Sequence, residues 1–500
     1  MAKIHSNPPS ANILMNSMRS MGYSFEAAIA DIVDNSISAN ASIIWIDFPV
    51  SSQKEPYVTV LDNGTGMSFD ELLNAMKYGS QKDSYSENDL GRFGLGLKAA
   101  SLSQCRKLTV ASKQGNNINC LQWNLDVVIK NQSWDCIELS GEEYSELPGI
   151  SKLKELQSGT LVIWQDFDEI SKEYGSSKPI FDVLSSYMDD AENHIRLVFH
   201  RFLNKRVKPL KILINNREIV GLDPFLESSY NPKNDLKKES EFSVQYGDGK
   251  KAIVKMQACI LPHQNDLTKE NIDALGGIEN LKDGQGFYVY RNDRLIIYGT
   301  WFRLSSKHIS PELYKYGRIK VDIPNSLDEI WRIDIKKQKA VIPPSILNLF
   351  RRAVSQVERT SEKKAKKRMR LSYAEDEDKI WAKELVRDGK ESFYINPHSK
   401  FITSFLDTFD DKDKSKILRF LDVISSQLPF DDIYISVCEK KNTSELPQET
   451  INSIVQLAID QIKLLEKVQC ISQEKAIEFV TGYSPFDSTE VVKEIKRRLQ

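Results

Sequence analysis

From Phe25 to Ala41 the chain reads FEAAIADIVDNSISANA, with apolar residues recurring at helical spacing. Ile29, Ile32, Val33 and Ile37 occupy most of the circumference of that helix. Asp31, Asp34, Asn35 and Ser38 fall at i, i+3, i+4 and i+7, which places them in one stripe. Two carboxylates and an amide on an otherwise apolar helix are costly unless they face a ligand, a metal or trapped water. Upstream, ANILMNSMRSMG predicts a short helix, and downstream SIIWIDF and YVTVLD predict strands. SFDELLNAMKYGS opens with Ser and acids, as helix starts do. A further helix is predicted from Lys98 to Cys105. The segments KLTVAS, NCLQWNLDVV and SGTLVIWQDF then predict strands up to about Phe167. Their connections are too short for helical crossovers, so these strands pair mainly antiparallel.

The pattern changes twice more. A helical link spans Asp168 to Leu203. A second α/β region runs from about Lys208 to Leu347, where Pro343 and Pro344 close it. One long helix that becomes strongly basic follows, then acidic AEDED, then a mixed module ending in EVVKEIKRRLQ. This organisation predicts four parts: 1–170, 171–350, a basic helical linker 351–378 and a C-terminal module 379–500.

Composition narrows the reading without specifying it. The 500 residues, 40% hydrophobic and 28% charged, are those of an ordinary globular chain of roughly three domains. A net charge of −2 supplies no global field toward nucleic acid or membrane. Six cysteines stand apart with no metal-ligand spacing, which fits free thiols in a reducing cytosol. No segment offers an apolar signal core or about 18 continuous apolar residues, so the expectation is a cytoplasmic protein with no membrane partner.

The chemistry concentrates in three stretches. YVTVLD runs into DNGTGM, in which Asp62 can accept a hydrogen bond from the exocyclic amine of a base. Gly64 and Gly66 there let the backbone approach a flat ring. GRFGLGLK, from Gly91 to Lys98, can aim successive N–H groups and a helix N-terminus at phosphates. Asn35 can ligate Mg²⁺ through its carbonyl, and Asp31 can orient or deprotonate a water attacking a terminal phosphate. Two rival motifs fail. Leu97 separates Gly96 from Lys98 and Ala99 replaces Ser/Thr, which excludes a P-loop; no G-x-G-x-x-G follows the first strand, which excludes a dinucleotide fingerprint.

The order ADIVDNS, DNGTGM, GRFGLGLK and SGTLVIW resembles the GHKL ATPases (gyrase B, Hsp90, histidine kinases and MutL). With the downstream FYVYRNDRLI, it is most similar to MORC-type ATPases and their bacterial relatives. The resemblance implies an α+β fold: a Bergerat-type sandwich of helices over a mostly antiparallel sheet, an S5-like α/β transducer domain and a small C-terminal α+β module. It implies ATP and Mg²⁺ as ligands, with Asn35 on the metal and Asp62, Gly64, Gly66 and Met67 around the adenine. Gly91, Gly94, Leu95, Gly96, Leu97 and Lys98 would form the phosphate lid, and Thr160 would support Asp62 through water. A transducer lysine, Lys337 or Lys339, would reach the terminal phosphate.

One residue departs from the family pattern. The general base is usually Glu, and here Asp31 stands in its place. Asp is shorter by one methylene, which fits action through a second water, slow turnover, or a nucleotide switch with little turnover. The implied cycle is ATP-dependent homodimerisation, or clamp closure, in a DNA-linked or phage-defence system with its own protein partners. DNA would bind through the basic segment Arg351 to Arg370. The alternative is an ATP-gated protein-interaction module that binds no nucleic acid.

Overall fold

The computed structural model describes residues 10–19, 22–49, 55–77, 96–170, 179–229, 231–247, 249–304, 314–331, 342–373, 379–385, 391–429, 433, 447–469 and 471–499. The chain divides into two compact units, Met1–Glu362 and Lys363–Gln500.

Among the described residues of the first unit, eight strands form one sheet. These are β1 (Ile43–Asp47), β2 (Tyr57–Asp62), β3 (Lys107–Gln114), β4 (Asn117–Asn124), β5 (Ile137–Glu138), β6 (Ser158–Gln165), β7 (Lys211–Ile214) and β8 (Arg217–Glu218). Their order is β5-β4-β3-β6-β2-β1-β7-β8. Pairing is antiparallel except between β1 and β7, which run parallel with Ile44 opposite Ile212. Helices α1 (Ala11–Arg19), α2 (Phe25–Ser38), α3 (Phe69–Met76) and α4 (Gly96–Gln104) share one core with the sheet and with the helix Ile180–Val198. A smaller cluster beneath the other face joins Leu61, Ala111 and Leu161 to Ile150 and Leu153. The architecture is therefore α+β with a large, mostly antiparallel sheet.

Two expectations change here. Lys211–Ile214, expected within the second α/β region, instead extends the first sheet, and the first core reaches Ile219 rather than ending at 170. The parallel pairing is possible because the intervening chain contributes the helix Ile180–Val198, the crossover that parallel strands require. LDVV, expected as strand, begins a helix, Leu125–Asn131. Asn124 caps it by accepting a hydrogen bond from the N–H of Asp126.

The second sheet comprises β9 (Asp235–Leu236), β10 (Ser240–Tyr246), β11 (Lys250–Ile260), β12 (Gly286–Arg291), β13 (Arg294–Thr300) and β14 (Gly317–Ile323). The order is β10-β11-β14-β12-β13, with β9 added on β11. One face packs on the helix Pro344–Tyr373 through Ile346, Phe350, Val354 and Val357, a stripe at helical spacing. Phe350 stacks on Phe287 with ring centroids 4.3 Å apart. The segment expected as a basic linker from 351 is thus anchored in this core over its first turns. On the other face Arg201 pairs with Asp322, Lys320 with Glu227, and His200 hydrogen-bonds Tyr290 at 2.8 Å.

The second unit holds a hairpin, β15 (Trp381–Leu385) with β16 (Glu391–Ile395), and helices packed around Val455, Ile462, Val480, Phe486 and Ile495. Among the described residues, no helix is long and apolar enough to cross a membrane.

Candidate active site

The site is built where α2 meets the ends of β2 and β6. The side chains of Phe25, Ala28, Ile29, Ile32 and Val33 are buried, which fixes the rotation of α2 and hence the direction of each polar residue. Those polar residues do not share one destination. Asp31, 3% exposed, accepts a hydrogen bond from the Tyr23 hydroxyl at 3.1 Å. A Cβ at Gly96, the first residue of α4, would lie 3.6 Å from the Asp31 carboxylate, so the end of the glycine-rich loop sits directly beside it. Asn35 is exposed. Asp34, expected in the same ligand-facing stripe, is instead buried against Arg294, whose Nε lies 2.8 and 2.7 Å from its two oxygens. The stripe splits because i+3 and i+4 straddle the helix face, and the second sheet covers one side of it.

Asp62, the last residue of β2, is held by three donors. Its Oδ2 accepts from the Ser36 hydroxyl at 2.9 Å, and its Oδ1 accepts from the Gly64 N–H at 2.8 Å and the Thr160 N–H at 3.3 Å. A carboxylate offers roughly four acceptor positions. Among the described residues the three donors named leave one on Oδ2. Burial raises the Asp62 pKa above its ordinary value, and the three hydrogen bonds oppose that rise. Thr160 supports Asp62 directly through its backbone, while its hydroxyl meets Ser112 at 2.9 Å. Ser112 in turn accepts from the Met67 N–H at 2.9 Å, which ties the DNGTGM loop to β3.

That loop is stapled at both ends. The Thr65 N–H donates to Ala39 O at 3.0 Å, just past α2, and the Ser158 hydroxyl donates to Gly64 O at 2.7 Å. Gly66 has φ +67°, and a Cβ there would lie 1.9 Å from the Lys113 carbonyl oxygen. No side chain fits.

Lys98 does not point at open solvent. It is 1% exposed, and its Nζ donates to the carbonyls of Ala75, at 2.8 Å, and Lys77 at the end of α3. Burial lowers its pKa to about 8. Leu97 and Met67 pack against the first core. Gly91, Gly94, Leu95, Lys337 and Lys339 lie outside the described residues. Sequence reasoning missed Tyr23, Ser36, Ser112 and Arg294. Of these, Ser36 and Arg294 had a signal: a small hydroxyl next to Asn35, and two arginines flanking the Asn-Asp turn of RNDR.

An exposed amide and a sequestered acid on α2, a buried carboxylate at the end of β2 and Gly96 at the start of α4 are thus held together by one core. Residues 23–160 match the family model of the histidine kinase-, DNA gyrase B-, and HSP90-like ATPases, and this region is a GHKL ATPase domain. Its curated relatives include ATPase morc-1 of Caenorhabditis elegans, 36% identical over 96 residues, which cover 19% of this chain and 11% of that protein. ATPase MORC2B of Mus musculus is 30% identical over 97 residues, covering 19% and 10%. The DNA mismatch repair protein MutL of Fervidobacterium nodosum is 30% identical over 102 residues, covering 19% and 17%. The matches thus span less than a fifth of each relative. A solved structure of the N-terminal domain of a DNA repair protein aligns with a TM-score of 0.43 and 14% identity, over 70% of this chain and 98% of that one.

Two outcomes follow from this geometry. Gly66→Ala clashes with backbone and strains φ, so it lowers stability by about 2 kcal/mol or more, whereas Gly96→Ala, with its Cβ at an ordinary contact distance, is tolerated. Urea denaturation of both variants checks this, and equal midpoints would contradict the loop geometry. For Lys98, the folded pKa of about 8 lies below the ordinary 10.5. The unfolded chain therefore binds more protons between those values, and stability from this group rises with pH across that window, by at most about 3 kcal/mol. Lys98→Met removes that rise, measured as the difference in urea midpoint between neutral pH and pH about 10. An identical pH dependence in the two proteins would show that Lys98 titrates normally.

Proposed function

We propose that this chain binds ATP with Mg²⁺ and hydrolyses it slowly, and that nucleotide state drives closure between two copies. The Asp62 carboxylate carries the reading: it is buried, oriented by Ser36, Gly64 and Thr160, and retains one acceptor position for the adenine amino group. Gly64 and Gly66 let the loop backbone lie against the ring, with Met67 beside it. The donor chemistry at Asn35 fits a hard cation, since its exposed amide offers an oxygen ligand. Mg²⁺ would neutralise charge on the phosphates. Asp31 holds a water toward the terminal phosphate; its position beside Gly96 supports this role. The lid residues Gly91, Gly94, Leu95 and Gly96 enclose the phosphates, Leu97 and Lys98 anchor the lid on the first core and on the end of α3, and Lys337 or Lys339, later in the sequence than the second sheet, completes the site.

The output we infer is a clamp linked to DNA, as in a repair or phage-defence assembly. MutL among the relatives and the basic stretch Arg351–Arg370 support it. A second reading, an ATP-gated module for protein partners, is favoured by one observation. Phe420, Val423 and Ile424 form an exposed apolar face on the helix Asp411–Ser426.

Calorimetry with Mg·ATP tests the site. Asp62→Asn weakens binding by about tenfold or more, since it replaces an acceptor of the adenine amine with an ambivalent amide. Asp31→Asn keeps the nucleotide while turnover falls by about a hundredfold or more. Intact binding in the first variant, or intact turnover in the second, would remove that residue from the mechanism. For the output, duplex-DNA affinity is measured between about 50 and 200 mM salt. The clamp reading expects a steep loss with salt that flattens when Lys363, Lys364, Lys366 and Lys367 become Gln. Binding indifferent to both favours the protein-partner module.

A further inference from the structure

Two arginines flank the tip of the β12–β13 hairpin. Asn292 and Asp293 both take positive φ, 49° and 65°, which makes a two-residue turn and sets Arg291 directly opposite Arg294. Like charges facing each other across a ladder are unfavourable unless each has its own counter-ion. Each has one, and the two lie in different parts of the unit. Arg291 Nε bonds both oxygens of Asp328 at 2.9 Å, and Asp328 opens the short helix Asp328–Trp331. Arg294 bonds Asp34 of α2, at a separation of 260 residues in sequence.

The second pair is closed to water on both sides. The Arg294 side chain is 4% exposed and that of Asp34 1%. Arg294 also donates to Leu295 O at 3.2 Å and lies over the Phe199 ring at 5.6 Å. Phe199 ends the helix Ile180–Val198, and the next residue, His200, holds Tyr290 of β12. A buried ion pair is poor value as a staple, because apolar residues of the same volume hold two surfaces together at least as well. What an ion pair adds is direction: it fixes the azimuth of α2 through the residue immediately before Asn35 and one turn after Asp31.

We infer that Asp34 and Arg294 are a positioning pair that transmits nucleotide state from α2 to the β12–β13 hairpin, and from there through Arg291 and Asp328 to the helix Asp328–Trp331. The inference rests on the ATPase reading of the site. Neither residue touches the substrate. Asp34 holds α2 so that Asn35 and Asp31 present together, and Arg294 passes a rotation of α2 to the second sheet.

The experiment uses the full chain and measures Mg·ATP affinity, KM and kcat separately. Arg294→Gln leaves Asp34 without its partner, so the double variant Asp34→Asn/Arg294→Gln, which buries no uncompensated charge, is the decisive one. It keeps its thermal midpoint and binds nucleotide within about threefold of the unaltered chain, while kcat falls by about tenfold or more. Hydrogen exchange at the hairpin, which slows on adding a non-hydrolysable ATP analogue in the unaltered chain, no longer responds in the variant. A purely structural role would move stability and leave this split absent. Turnover in the double variant within about twofold of the unaltered chain overturns this inference alone. Failure of the unaltered chain to bind Mg·ATP overturns the ATPase reading, and this inference with it.

Discussion

A helix buried on nearly every side cannot carry polar groups that lack partners. Helix α2 is such a helix, and it carries Asp31, Asp34, Asn35 and Ser36 within two turns. Each buried member has a separate partner: Tyr23 for Asp31, Arg294 for Asp34, and Asp62 for Ser36. The demand to satisfy these groups orients the chain before α2, the second sheet and the end of β2. Asn35 alone of the four turns outward. The geometry of the site is a consequence of that division.

Around this helix the fold supplies backbone rather than side chains. The Thr65 N–H ties the DNGTGM loop to the end of α2, and Ser112 and Ser158 tie the same loop to β3 and β6. Small hydroxyls suit this work, since each bridges neighbouring main chains without filling the space that a flat ring would occupy. Lys98 serves a similar end from the other side by collecting the carbonyls that end α3.

Much of this was legible in the sequence, for identifiable reasons. The DNGTGM turn and the helix starting near Lys98 are local: glycines punctuate the chain before each, and both stand where expected. The direct support of Asp62 by the Thr160 backbone was not legible, and for Ser36 the sequence offered no more than a small hydroxyl beside Asn35. The Thr160 support depends on the register that pairs Asp62 with Thr160 across β2 and β6. The fate of Asp34 was less accessible still, because its partner lies on another sheet and no local pattern joins DNS to RNDR. The placement of Lys211–Ile214 was misread for the reverse reason. Its strand pattern was plain, but pattern does not say which sheet a strand enters, and here a helical crossover carries it back to β1.

That crossover has a bearing on how the chain acquires its structure. Strand β1 lies between β2 and a strand that follows it by more than 160 positions, Ile43 being paired with Lys211. Until the later segment has left the ribosome, one side of β1 is an unpaired edge bearing Ile44 and Ile46, the kind of edge that recruits foreign strands. The candidate site, whose four motifs are all present by residue 164, therefore rests on a sheet that is finished only by a later portion of the chain. A fragment cut at the end of those motifs would retain every residue assigned to adenine and yet be prone to self-association through β1.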